Sequence, residues 1–141
     1  MKTQSCKSKG RRLQQKVAND ILAAFPHLKA DDCVSTSMGA PGEDIRLSQS
    51  ARLSVPFSIE CKNVERINIW SCLEQCLANS KEHTPCLVFS KNRSDVYACI
   101  PWSTFLQLLV PSNSSLSPQI IHLVEQLRDA VLESSSTKDL P

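Results

Sequence analysis

Asp44, Glu60 and Lys62 combine residue types that can do chemistry on a phosphate. Two carboxylates offer the hard oxygens that Mg²⁺ prefers, and they leave coordination positions for water and for a phosphate oxygen. A divalent cation held there offsets charge building on phosphorus and acidifies a water. A lysine beside them can orient that water or stabilise the developing negative charge. The main-chain carbonyl of Cys61, between Glu60 and Lys62, is a further candidate ligand, so the expected metal set is Asp44, Glu60 and Cys61. The expected reaction is Mg²⁺-dependent hydrolysis of a phosphodiester, with Mn²⁺ able to substitute.

An Asp and a Glu-x-Lys are common as a bare pattern, and their setting makes them more specific. Phe57-Ser-Ile-Glu-Cys-Lys62 has the look of a half-buried strand, where charged side chains cost desolvation unless they are used. Residues two apart on a strand share a face. Glu60 and Lys62 therefore project together, and Cys61 turns the other way into the core. The loop Ser37-Met-Gly-Ala-Pro-Gly42 precedes Asp44, with glycines that permit close backbone approach. If the strand carrying Asp44 neighbours the one carrying Glu60, the two acids meet at one sheet edge.

The elements that must position them follow from periodicity. Leu13, Val17, Ile21 and Phe25 recur every four residues, which predicts a helix over about 10–25, ended by Pro26. Strands are expected at Asp32–Ser37, Glu43–Leu47 and Val55–Lys62, with a turn or a single helical turn at Ser48–Leu53. A helix is expected over Asn68–Ser80, with Ile69, Cys72, Leu73, Cys76 and Leu77 on one face. Strands at Pro85–Ser90 and Val96–Pro101 flank a tight connection at Asn92-Arg-Ser-Asp95. A short helix follows over Trp102–Val110. The order implies an α/β domain, a mixed central sheet flanked by helices. Residues 1–8 are expected as a flexible basic arm and 9–110 as the domain. Residues 111–118 are expected as a Ser/Pro-rich linker, and 119–141 as a C-terminal helix and tail with Ile120, Val124, Leu127 and Val131 on one stripe.

Bulk properties bound the function. The chain has 141 residues and 41% hydrophobic content, enough for one packed domain. A net charge of +2 excludes a uniformly basic coat, yet Lys2, Lys7, Lys9, Arg11 and Arg12 crowd the first 12 residues without an acid. Lys9, Arg11 and Arg12 are therefore candidate phosphate contacts. The seven cysteines include no metal-type CxxC pair, and no apolar run reaches the roughly 18 residues of a membrane span. Reduced thiols and a cytoplasmic setting are expected. Core packing is favoured for Cys72 and Cys76, and Trp70 is expected to be partly buried.

Asp44 with Glu60-Cys61-Lys62 resembles the PD-(D/E)xK nucleases of the restriction-endonuclease-like fold, most nearly the archaeal-type Holliday junction resolvases and related phage-encoded endonucleases. Lys9-Gly10 followed by Gln14 is similar to that family's Lys-Gly-x-x-x-Glu opening. Ser37 and Gly39 resemble its Ser-Gly loop, and Gln75 stands where it has a helix glutamine. The similarity spans roughly residues 9–110. It implies a metal-dependent DNA endonuclease, structure-selective toward branched or junction DNA, acting as a homodimer in a bacterial or phage-infected cell, in recombination or repair. It further implies catalytic roles for Asp44, Glu60, Lys62, Gln75 and Gln14, and DNA contacts from Ser37 and Gly39. The alternatives are another nicking, repair or homing enzyme of this fold, or a catalytically silent DNA-binding module. Gln14, with Gln15 beside it, replaces the family's first-helix acid, an uncharged amide where the family has a carboxylate.

Overall fold

Leu13 and Val17, one helical turn apart, are buried, and the chain around them forms α1, Lys2–Ala24. A computed structural model describes residues 2–37, 39–110 and 122–129. The basic segment expected as a flexible arm is, from Lys2 on, the first two turns of this helix. Lys2–Lys9 contains neither proline nor glycine, so nothing in it interrupts the hydrogen-bond ladder. The last turn closes with the Phe25 N–H donating to the Ile21 carbonyl, and Pro26 cannot continue it.

A single 3₁₀ turn, Ala30–Asp32, leads into β1, Cys33–Ser35, which pairs antiparallel with β2, Ile45–Leu47. Both strands are shorter than expected. Asp44 lies just before β2 rather than inside it. Between β2 and the next strand stands α2, Gln49–Ser54, capped by Ser48, whose hydroxyl accepts from the Ala51 N–H.

β3, Phe57–Asn63, and β4, Thr84–Ser90, run parallel in full register, joined by α3, Ile69–Ser80. Asn68 caps α3, its side-chain oxygen accepting from the Ser71 N–H. β5, Tyr97–Cys99, returns antiparallel to β4 after a turn in which Arg93 adopts φ 58°. α4, Trp102–Leu109, follows. The fold class is mixed α/β, helices on small mixed sheets. One compact unit ends at Phe105 and a second begins at Leu106.

The core is built on one face of β3 and β4. Ile59, Cys61, Cys86 and Val88 join Leu13, Val17 and Ala18 of α1, with Ile45, Leu47 and Ala51. The opposite face meets α3, where Cys76 and Ser80 are buried. The apolar stripe expected on α3 is only partly covered, for Leu77 is 65% exposed. Trp70, expected to be partly buried, is 74% exposed, because the first turn of α3 presents it away from the sheet. Residues 122–129 are helical, with Val124 and Leu127 exposed. Ile120, Val131, the linker at 111–118 and the tail at 134–141 lie outside the described residues. No described helix is long and apolar enough to cross a membrane.

Candidate active site

β2 and β3 do not form a regular ladder, and Asp44 supplies what joins them. Its N–H donates to the Ile59 carbonyl at 2.9 Å. Its carboxylate Oδ2 accepts from the Cys61 N–H at 2.7 Å. A parallel strand partner bonds the two residues flanking its opposite number in this way, using its own carbonyl as the acceptor. Here the Asp44 carbonyl is engaged elsewhere, accepting from the Thr36 N–H at 2.9 Å and the Thr36 hydroxyl at 3.2 Å. The side chain takes its place, and Asp44 is pinned directly beside Glu60.

Glu60 is 3% exposed, yet both its oxygens are engaged. Lys62 Nζ lies 2.9 Å from Oε1, and Asn79 Nδ2 donates to Oε2 at 3.1 Å. Lys62 also donates to Gln75 Oε1 at 2.8 Å. Strand alternation explains the grouping: Glu60 and Lys62 share the α3 face of β3, and Gln75 and Asn79 lie one helical turn apart on α3. The sequence alone does not single out Asn79. Its one signal is the four-residue spacing from Gln75, which has meaning once α3 is known to lie over β3.

α1 closes the site from the other side. Gln14 is 5% exposed, and its Oε1 has no hydrogen-bond partner. Such an orphaned acceptor is uncommon in a folded protein. Gly10, Gln14, Gly39, Ala40, Pro41, Gly42, Asp44, Glu60, Cys61, Lys62, Gln75 and Asn79 line one cleft of about 300 Å³. Gly39 and Gly42 adopt φ 85° and 98°, so the loop that walls the cleft uses glycine where other residues would be strained.

Charge in the cleft is finely balanced. Burial raises the Asp44 carboxyl above its usual range; the Cys61 N–H opposes this, and the neighbouring Glu60 adds to it. For Lys62, burial works against the ammonium, but the hydrogen bond and charge of Glu60 outweigh it, so its pKa lies above the ordinary value. Lys62 is thus a fixed cation between two acids.

Ser37 is exposed and does not line the cleft; its carbonyl accepts from the Ala40 N–H in the turn that follows. Gly39 of the same loop does line it. Lys9 and Arg12 open onto a neighbouring groove, whereas Arg11 is exposed and reaches neither. Glu43, next to Asp44, turns away and pairs with Arg52. Among the described residues no group of three or more His, Cys, Asp or Glu side chains is gathered for metal binding. The oxygen donors at hand are two carboxylates, the Gln14 amide and main-chain carbonyls.

Comparison of the chain with family models, with curated proteins and with solved structures finds no match.

Proposed function

We propose that the protein is a Mg²⁺-dependent endonuclease that hydrolyses phosphodiester bonds in DNA, built on a restriction-endonuclease-like sheet. The observation that carries this reading is the meeting of Gln14, Asp44, Glu60 and Lys62 in one cleft, with a buried Gln14 oxygen left without a partner. An acceptor stranded beside two carboxylates is satisfied by a cation, and a hard oxygen set suits Mg²⁺ or Mn²⁺. Asp44, Glu60, Gln14 Oε1 and the Cys61 carbonyl would hold it. The ion would supply charge neutralisation at phosphorus and a more acidic water.

The chain's own residues do the rest. Lys62 offers its ammonium protons to a phosphate oxygen or to the attacking water, with Gln75 and Glu60 fixing its direction. Asn79 orients Glu60 by holding Oε2. Asp44 is fixed on both sides of Glu60, its N–H by the Ile59 carbonyl and its carboxylate by the Cys61 N–H, so its side chain is held in one orientation. The antiparallel β1–β2 pair, the Asp44 link, and the parallel β3–β4 pair with α3 across it support the fold assignment. Branched or junction DNA is the proposed substrate and a homodimer the proposed active form, since two symmetric cuts suit two-fold symmetry.

Gln14 in place of an acid favours one alternative, a DNA-binding module without catalysis. Incubation with labelled four-way junction, flap, duplex and single-stranded DNA, in Mg²⁺ and in EDTA, separates them. Mg²⁺-dependent cutting that prefers the junction supports the full reading. Equal cutting of plain duplex removes junction selectivity only. Binding without any cutting selects the silent module.

A further inference from the structure

Beside the cleft lies a second concavity of about 330 Å³, where α1 meets the β4–β5 turn. Three cations of α1, Lys9, Arg12 and Lys16, face two from the turn, Lys91 and Arg93. Asn63, Ser90, Asn92 and Ser94 supply the polar floor, and no Asp or Glu lines it. Lys16 is the partly neutralised member, paired with Asp20 at 2.6 Å on the exposed side of the helix. More than 70 residues of chain separate the two halves, so the fold itself collects the positive charge.

The groove and the cleft share their walls. Gly10 and Gln14 line the cleft, while Lys9, Arg12 and Leu13 of the same helix line the groove. Lys62 lines the cleft and the next residue, Asn63, the groove. Arg93 holds a left-handed backbone that glycine or asparagine adopts more readily.

We propose that this groove holds the phosphodiester backbone of a nucleic-acid strand and leads it into the cleft, with Arg12, Lys91 and Arg93 as the principal phosphate contacts. The inference rests on the nuclease reading for the direction of the strand, but the binding stands on the groove alone. Phosphates fit because Lys9, Arg12, Lys91 and Arg93 line the groove with no acid among its lining residues, and because the side-chain amides of Asn63 and Asn92 lie among them. DNA and RNA share that backbone, and the test distinguishes them.

Binding of fluorescein-labelled four-way junction, duplex and single-stranded DNA, and of RNA of the same sequences, is measured by anisotropy in EDTA across a salt series. The triple variant Arg12→Gln, Lys91→Gln, Arg93→Gln is compared with wild type and with Lys29→Gln, Lys81→Gln, two exposed cations outside the groove. The triple variant is expected to bind at least about tenfold more weakly at ~0.1 M salt, with the salt slope reduced by roughly 2–3 on duplex. The control pair should match wild type. Arg93→Gly guards against a folding artefact: it relieves the left-handed strain, so it should keep or raise Tm while weakening binding. Unchanged affinity and slope in the triple variant would overturn the proposal, even if the enzyme cuts DNA. The same holds for binding confined to anionic phosphatidylserine vesicles. Groove-dependent binding without cleavage would uphold it while refuting the nuclease reading. Preference for the DNA or the RNA arm then identifies the strand.

Discussion

The carboxylate of Asp44 accepts a hydrogen bond from the Cys61 main-chain N–H at 2.7 Å, where a strand partner would ordinarily present a carbonyl. One residue is thereby both a link between two sheets and a prospective metal ligand. Structure and chemistry can be separated by choice of substitution. Asp44→Ala leaves a buried N–H without an acceptor and should destabilise the protein by about 1–3 kcal/mol. Asp44→Asn keeps an oxygen for that N–H and should remain folded, so chemical denaturation of the two variants should differ clearly.

The same residue gives a pH dependence. Its folded pKa is raised, chiefly by burial. The folded state therefore binds a proton more readily than the unfolded one, and Asp44 costs stability as pH rises through the window above the ordinary 3.8. Below that window both states are protonated and the cost vanishes. Asp44→Asn carries no such cost, so its Tm should exceed that of wild type at about pH 7 and lose that advantage below pH 3.8. A Tm advantage that persists in acid would contradict the assignment.

Gln14→Glu places a third acid beside Asp44 and Glu60. Without metal it buries another carboxylate near two others and should lower Tm. With millimolar Mg²⁺ or Mn²⁺ it should gain more Tm than wild type does, because the added charge favours the cation. Equal Tm gains in the two proteins would argue that Gln14 does not face the ion.

Several elements are legible in the sequence for simple reasons. The four-residue recurrence of Leu13 and Val17 marks the buried face of α1, and the alternation around Glu60 and Lys62 puts both on one face of β3. The grouping of Asp44 with that pair is different, since it needs a relation between strands that spacing leaves open. That relation is a side-chain bond, Asp44 to Cys61, which no periodicity encodes. Asn79 is hidden because its partner lies 19 residues away on another element. Lys91 and Arg93 stand out in the chain only as part of a tight turn, since their cationic neighbours come from α1. The early start of α1 is not visible because its polar residues carry no periodic signal, although they accept helix readily.

Glu43 and Arg52 form an ion pair behind the site, with side chains 23% and 17% exposed, and Arg52 also donates to the Phe57 carbonyl at 3.0 Å. Arg52 meets Glu43 Oε1, and Oε2 has no hydrogen-bond partner. Arg52→Ala strands a largely buried carboxylate and a strand carbonyl, and should cost about 1–3 kcal/mol by urea denaturation. Because Glu43 adjoins Asp44, loss of metal-dependent activity should accompany it.

Cysteine reactivity checks the packing of β3 and β4 between α1 and α3. Burial pushes the Cys61 thiol far up and the Cys76 and Cys86 thiols to about 11. Alkylation with iodoacetamide at about pH 7.5, read by mass spectrometry, should leave these three largely unmodified in the folded protein and modify them promptly in urea. Rapid modification of Cys61 in native protein would mean that the strand beneath the site is more open than described.

The central claim is that Asp44 and Lys62 serve one metal-dependent cleavage site. Its most direct test is single-turnover cleavage of a labelled four-way DNA junction by folded wild type, Asp44→Asn and Lys62→Ala in Mg²⁺. Wild type should cut, and EDTA should abolish cutting. Each variant should bind the junction with near-wild-type affinity while cutting at least about 10²–10³-fold more slowly. Cleavage by Asp44→Asn at the wild-type rate, or no metal-dependent cleavage of DNA by wild type, would contradict it.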